Sequence, residues 1–388
     1  MPMISMDNLG EPGRALSSRV GWGADDDRRY MPKGRTHMLS GEYDRQFKPL
    51  AELLEHHLDH GLDHGAALAV TVDGQQVVDI WGGWADAQRR RPWQADTLVL
   101  VMSVAKALTG ICGNICVERG LLHPDSPVSA YWPEFAAHGK DRVLVKHVFQ
   151  HRAGLPQVPL DRDRWGDWDG VCEALAAAPP AWPPGTAHAY HALTYGWLAG
   201  ELIRRVTGRR PNEFLQEEVC EPLGVEAWIG LPAAVDDRLA EVVPEQPITM
   251  DRRWEIPAAN GFSNARSVSR VFGMLACGGR SGDVQVLERT TIDDATATFV
   301  TGPWHGGESH AVLATIRFAR GFQLGSEYLY MGPGTRAFGH AGGGGAIAWA
   351  DPERRISFAY TPNLYEMDVE RMYDRANRLS RCVFDCIR

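Results

Sequence analysis

Apolar residues recur at Leu50, Leu53, Leu54, Leu58 and Leu62, the three-and-four spacing of a helix running from residue 47 to about 64. Beyond it the period drops to two. Leu68, Val70 and Val72 precede Asp73-Gly74, and Val77, Val78 and Ile80 follow it. Asp-Gly between two apolar runs marks a β-hairpin. A short strand is expected over 97–102 and a helix over 103–119, with Ala107, Leu108, Ile111, Cys112 and Ile115 on one side and Gly120 as its stop. Further helices are expected at about 193–206 and 262–277. Residues 346–350 and 356–360 flank the turn Asp351-Pro352-Glu353-Arg354 as a second hairpin, and an amphipathic helix closes the chain over roughly 369–386.

Strands therefore sit at both sequence ends around a helical, loop-rich middle. The fold class expected is α+β: the two hairpins join in one antiparallel sheet flanked by the terminal helices, and the middle forms a mainly helical lobe. Residues 46–120 and 255–388 would make the sheet lobe and 121–254 the helical lobe. Residues 1–45 show no periodicity and are expected to be an irregular N-terminal arm.

Composition narrows the function classes. The chain has 388 residues, enough to bury a sizeable core. Its net charge of −9 argues against a nucleic-acid partner, which needs a basic footprint. None of the seven cysteines forms a CxxC pair; Cys112/Cys116 and Cys382/Cys386 are each four apart, a helical spacing typical of small buried residues in a reducing compartment. Neither a signal-peptide run nor a spanning apolar stretch is apparent, so a cytoplasmic protein without a membrane span is expected.

The most informative tetrapeptide is Ser103-Val104-Ala105-Lys106. At a helix start, residues three apart share a face, so the Lys106 amine reaches the Ser103 hydroxyl. The helix N-terminus adds free N–H groups and partial positive charge. Such a lysine accepts the serine proton only if desolvated or set beside another cation. The apolar flanks of the pair point to a buried helix. Tyr190, at a loop-to-helix junction, can share the proton with Lys106 and pass it to a leaving group. Gly339-His340-Ala341-Gly342-Gly343 precedes a strand, where glycines allow the backbone to approach a substrate and donate an N–H to an oxyanion.

S-x-x-K, then Tyr190, then H-x-G, in that order, resembles the serine β-lactamase and penicillin-binding-protein superfamily. Within it the chain looks most like the class C β-lactamase-like hydrolases, including family VIII carboxylesterases. The connecting text agrees: 145–156 reads VKHVFQHRAGLP, Pro183-Pro184-Gly185 precedes the tyrosine, 195–208 reads YGWLAGELIRRVTG, and 260–266 reads NGFSNAR. The resemblance covers about residue 48 to the C-terminus. It implies Ser103 as the nucleophile, Lys106 and Tyr190 as its base system, and an oxyanion hole from the N–H groups of Ser103 and Gly343. It implies no cofactor and no metal. His340 stands where β-lactamases carry a lysine, and Ala192 where the family has an asparagine; both departures favour simple esters over β-lactams. His340, Gly342 and His191, with Trp165, Trp168 and Trp182 from the covering loops, are the expected substrate-binding residues. The expected partner is a small-molecule ester or acyl substrate, and an oligomer is left open. A transacylase, a D-amino peptidase or amidase, a β-lactamase and a non-catalytic binding protein are the alternatives.

Two decoys carry less. Gly261-Phe262-Ser263-Asn264-Ala265 resembles a nucleophile elbow, but the alternating parallel strands and helices of that fold are missing, so a helix start is expected. His56, His60 and His64 are spaced like ligands on a helix, and are expected on its solvated side.

Overall fold

The computed structural model describes residues 29–30, 39–244, 250–300, 303–306 and 313–387. The hairpin around Asp73-Gly74 forms as β3 (Gly65–Val72) and β4 (Gln75–Gly83), and the C-terminal one as β13 (Ile347–Asp351) and β14 (Ile356–Pro362). β14 pairs antiparallel with β3, from Ile356 opposite Val72 to Pro362 opposite Ala66, so the two hairpins do join in one sheet. On one side it continues through β2 (Leu39–Asp44) and β1 (Arg29–Tyr30). On the other it continues through β12 (Phe338–Ala341), β11 (Gln323–Leu324) and β10 (Arg317–Phe318), all in antiparallel pairing.

The strand at Leu39–Asp44 corrects part of the irregular arm expected over 1–45. Its backbone groups cover the open edge of β4, and Leu39 and Tyr43 are buried. Apart from β1, the rest of that arm lies outside the described residues.

Alternation sorts the sheet into a bulky and a slim face. Leu68, Val70, Ile80, Trp349, Phe358 and Tyr360 form one core with α1 (Lys48–Asp59) and α10 (Asp374–Cys386). Ala67, Ala69, Ala348, Ala350 and Ala359 face the other way, toward Val268, Val271, Phe272 and Leu275 of α8 (Ala265–Ala276).

α1 is shorter than its apolar spacing suggested. The chain reverses at Gly61, with φ +68°, and the N–H groups of Leu62 and Asp63 donate to the His57 carbonyl at 2.8 and 3.0 Å, a helix-terminating pattern. His64 therefore leaves the helix and is buried, its Nε2 2.7 Å from the Asp86 carbonyl. His56 and His60 remain exposed. Among the described residues no group of three or more His, Cys, Asp or Glu side chains could hold a metal ion.

The helical layer comprises α2 (Val104–Glu118), α3 (Val145–Phe149), α4 (Trp168–Ala177), α5 (Thr194–Thr207), α6 (Pro211–Leu215) and α7 (Glu221–Leu223). The middle of the chain also contributes a strand. β6 (Ala227–Ile229) pairs with β7 (Gly261–Ser263), which pairs with β5 (Val99–Met102). A small hairpin of β8 (Arg280–Ser281) and β9 (Val284–Gln285) leads to α9 (Arg289–Ala297). No described helix is long and apolar enough to cross a membrane.

Candidate active site

β5 delivers the chain to Ser103 through a sharp turn. Met102 has φ +49°, a left-handed conformation that costs a side-chain-bearing residue about 1–3 kcal/mol. Its side chain packs on the cluster of Leu98, Leu100, Leu231 and Phe262, which holds the turn in place. Ser103 is the N-cap of α2 and half-buried, so its hydroxyl stays reachable. One turn on, Lys106 has no exposed surface. Its Nζ lies 3.1 Å from Ser103 Oγ, 2.7 Å from the Ala192 carbonyl and 2.6 Å from the Ala258 carbonyl. No carboxylate among the described residues pairs with it, and burial holds its pKa well below the usual amine range. It also lies beside the N-termini of α2 and α5, whose partial positive charge opposes a proton there.

Tyr190 lies over this pair, with Lys106 Nζ 4.7 Å from its ring centre. Burial pushes its phenol pKa up, while a hydrogen bond with the Ser103 side chain pulls the other way. The ring stacks on Phe318, centres 5.7 Å apart, and meets His151 at 4.9 Å. His151 has φ +59°, and its Nδ1 accepts the His191 N–H at 3.1 Å, which fixes the backbone just after Tyr190. The histidines around the pair are held neutral. Burial and the nearby His191 and Lys106 lower His151 well below the ordinary value; burial brings His191 to about 4; burial and Lys106 bring His340 to about 3.

The opposite wall is the end of β12 and the glycine turn after it. β12 lies inside the sheet between β13 and β11. His340 is buried, its Nδ1 2.7 Å from the Ala341 carbonyl and its ring centre 6.5 Å from that of Tyr190. A Cβ on Gly342 would come within 2.2 Å of the Val101 carbonyl, so only glycine lets the β12 end lie against the β5 end that carries Ser103. Gly343, next along, is half-buried and open toward Met102. Neither the Ser103 N–H nor the Gly343 N–H has an acceptor among the described residues. The arrangement combines a nucleophilic hydroxyl, an amine of lowered basicity, a phenol and two free backbone donors.

Comparison with known proteins gives the family. The model of the family described as Beta-lactamase matches residues 50–382. The chain belongs to the Beta-lactamase family. The esterase/beta-lactamase LipL of Mycobacterium tuberculosis is 34% identical, over 92% of this chain and 88% of its own length. Among solved structures, a penicillin-binding protein homologue from Caulobacter crescentus superposes with a TM-score of 0.82 at 35% identity, covering 90% of this chain and 99% of that one. A family VIII carboxylesterase does so with a TM-score of 0.82 at 33% identity and the same coverage.

Within this member of the Beta-lactamase family, Ser103, Lys106, Tyr190, His340, Gly342 and Gly343 converge, whereas the other expected substrate contacts do not. His191 is fully buried and both ring nitrogens are engaged by backbone: Nε2 accepts the Leu155 N–H at 3.1 Å and Nδ1 lies 2.6 Å from the Ala189 carbonyl. It shapes the Tyr190 loop and has no nitrogen left for a ligand. Trp168 is a core residue of the helical layer, its indole N–H on Glu201 at 3.0 Å. Trp165 packs on that same core with its N–H on the Leu160 carbonyl. Trp182 is buried with Ala187 and Ala189, edge-on to His191, and donates to the Ala187 carbonyl. Ser263, the decoy nucleophile, is buried with its hydroxyl on the Glu226 carbonyl, and Asn264 caps α8 by accepting the Ser267 N–H.

Three elements were not singled out by sequence reasoning. The Ala192 and Ala258 carbonyls carry no side-chain signal at all. Phe318 sits in an unremarkable stretch. His151 lies in the VKHVFQHRAGLP segment, and the family resemblance of that segment is the one signal that could have pointed to it.

Proposed function

We propose that this carboxylesterase-type hydrolase cleaves small neutral carboxylic esters through an acyl-enzyme on Ser103. The observation that carries the reading is the set of partners around Lys106. A neutral amine has two N–H donors and one lone pair. Two backbone carbonyls can take the donors, and the Ser103 hydroxyl, 3.1 Å away and able to donate as well as accept, can then give its hydrogen to the lone pair. The opposite pKa directions divide the roles: burial makes Lys106 readier to stand as the proton acceptor and keeps Tyr190 a phenol that gives a proton.

Ser103 Oγ bonds to the ester carbonyl carbon as its proton moves to Lys106. The carbonyl electron pair shifts to oxygen, where the N–H groups of Ser103 and Gly343 stabilise it. Collapse of the tetrahedral species breaks the bond to the alcohol oxygen. The leaving alkoxide takes a proton through the Tyr190 hydroxyl, which Lys106 resupplies. Water then gives a proton to the same relay as its oxygen bonds to the acyl carbon; the second tetrahedral species breaks the bond from that carbon to Ser103 Oγ, the carboxylic acid leaves, and Oγ takes the proton back.

Neutral substrates are favoured because His340 is held uncharged where β-lactamases have a lysine to meet a carboxylate. The test is the initial rate on a short-chain p-nitrophenyl ester, wild type against Ser103→Ala, with nitrocefin in parallel. Loss of the nucleophile is expected to cost on the order of 10⁴–10⁶ in rate, with nitrocefin turned over far more slowly than the ester. Equal rates for wild type and variant would sink the reading, and rapid nitrocefin turnover would return the substrate class to β-lactams.

A further inference from the structure

The Gly343 donor belongs to a turn made entirely of glycine, Gly342 to Gly345, so no side chain of its own packs it down. Such a segment is ordered by hydrogen bonds rather than by packing of side chains of its own. Its internal bond runs from the Gly345 N–H to the Gly342 carbonyl at 3.2 Å. That carbonyl and the Gly343 N–H share one peptide plane, so this bond sets the direction in which the Gly343 N–H points. The next handle is the Gly344 carbonyl. It accepts from the Glu366 N–H at 3.3 Å and from Arg375 Nη2 at 3.4 Å.

Arg375 is itself held rigidly. Its Nη2 also donates to the Leu364 carbonyl at 2.6 Å, and its Nη1 donates to the Leu62 carbonyl at 2.9 Å and to Asp63. Asp63 is buried, and its Oδ1 also accepts the Tyr360 hydroxyl at 2.6 Å. A planar guanidinium with this many acceptors has one orientation. It links α10, the α1–β3 connection and β14 to the glycine turn.

We infer that Arg375, anchored by buried Asp63, is a positioning residue that fixes the glycine turn so that the Gly343 N–H meets the developing oxyanion. The inference rests on the acyl-enzyme reading above. It makes Arg375 matter in the transition state, where the oxygen carries charge, and little in the ground state.

The test compares wild type with Arg375→Lys and with the double variant Asp63→Asn/Arg375→Met. The first keeps a cation beside Asp63; the second removes both charges together, so no lone buried charge is left to unfold the protein. Initial rates on p-nitrophenyl butyrate give kcat and KM, phenylboronic acid reports affinity for a tetrahedral adduct on Ser103, and a thermal melt reports stability. Removing an oxyanion donor outright costs about 10²–10³ in kcat, so loosening one is expected to cost about 10-fold. KM should stay within about twofold, boronate affinity should fall in parallel with kcat, and the melt should hold in at least one variant. The inference is overturned if both variants keep wild-type kcat, or if kcat falls only together with the melt while boronate affinity is unchanged. Ser103→Ala separates the two levels. If it retains ester turnover, the acyl-enzyme reading itself fails; if it is silent while both Arg375 variants behave as wild type, only the part given to Arg375 fails.

Discussion

Lys106 and Lys140 are both carried to zero exposure, and neither meets a carboxylate among the described residues. On the acyl-enzyme reading, their surroundings nonetheless suit opposite charge states. Lys140 points its Nζ at three carbonyls, those of Ala137, Ala176 and Ala178. Three acceptors need three donors, so the ammonium form fits and a lone pair would face an oxygen. Two of those carbonyls end α4, the negative pole of a helix. Lys106 has two carbonyls and one hydroxyl, beside two helix N-termini. Burial lowers the basicity of both amines, more strongly at Lys106. The contrast teaches that burying a lysine does not make it a base. The third partner and the sign of the helix ends decide.

Between the two lysines, the larger effect comes from removing the amine at the site. Lys106→Met should lower kcat/KM for a p-nitrophenyl ester by about 10²–10⁴-fold, the usual contribution of a positioned proton acceptor. A near-wild-type rate would mean that the Ser103 proton leaves by another path and that the two-carbonyl geometry is incidental.

The pH dependence of stability sharpens the same contrast, because neutral histidines surround Lys106. The folded-state values of His191, about 4, and His340, about 3, lie below the unfolded histidine value. The unfolded chain therefore binds the extra protons as pH falls from about 6.5 toward 4. Stability is undiminished above that window and is lost on acidification through it. His191 alone accounts for about 3 kcal/mol once the pH is below its folded value. Urea unfolding at pH 7, 5.5 and 4.5 should show a falling midpoint. A flat profile would mean that these rings take up protons in the folded protein as readily as in the unfolded chain.

How far the site was legible follows the range of each contact. Ser103 and Lys106 could be paired from spacing because three residues on a helix start are neighbours by geometry alone. The sheet was legible for a similar reason: alternation in two hairpins names the face, and the bulky residues of β3 and β14 had one place to go. Tyr190 and Gly343 lie on separate segments, and only the resemblance joined them to Ser103. The bond from Asp63 to Tyr360 and Arg375 spans nearly the whole chain, so nothing local announces it. Trp168 and His191 were misjudged because residue type does not say which way a side chain faces: one indole meets Glu201, and one imidazole is consumed by backbone. His64 was misplaced because α1 ends at Asp59, ahead of the last apolar residue that seemed to continue it.

The smallest effect on activity should come from Lys140→Met. The substitution leaves the carbonyls of Ala137, Ala176 and Ala178 without a donor and removes a cation from the α4 C-terminus. An orphaned buried acceptor costs about 1–3 kcal/mol, and the lost helix-end charge adds about 0.3–1 kcal/mol. Partial access of water to the vacated carbonyls offsets some of this, so a net loss of about 2 kcal/mol is expected in chemical unfolding. kcat and KM on the p-nitrophenyl ester should stay within about twofold, since Lys140 has no contact with Ser103 or Tyr190: its hydrogen bonds go to backbone carbonyls and its Nζ lies 5.3 Å from the Phe135 ring centre. Stability lost without activity would leave the third partner as what separates the two lysines. If kcat fell as it does for Lys106→Met, the helical layer would have to transmit strain to Ser103, and buried lysines in this fold would share a function that their acceptors alone do not explain.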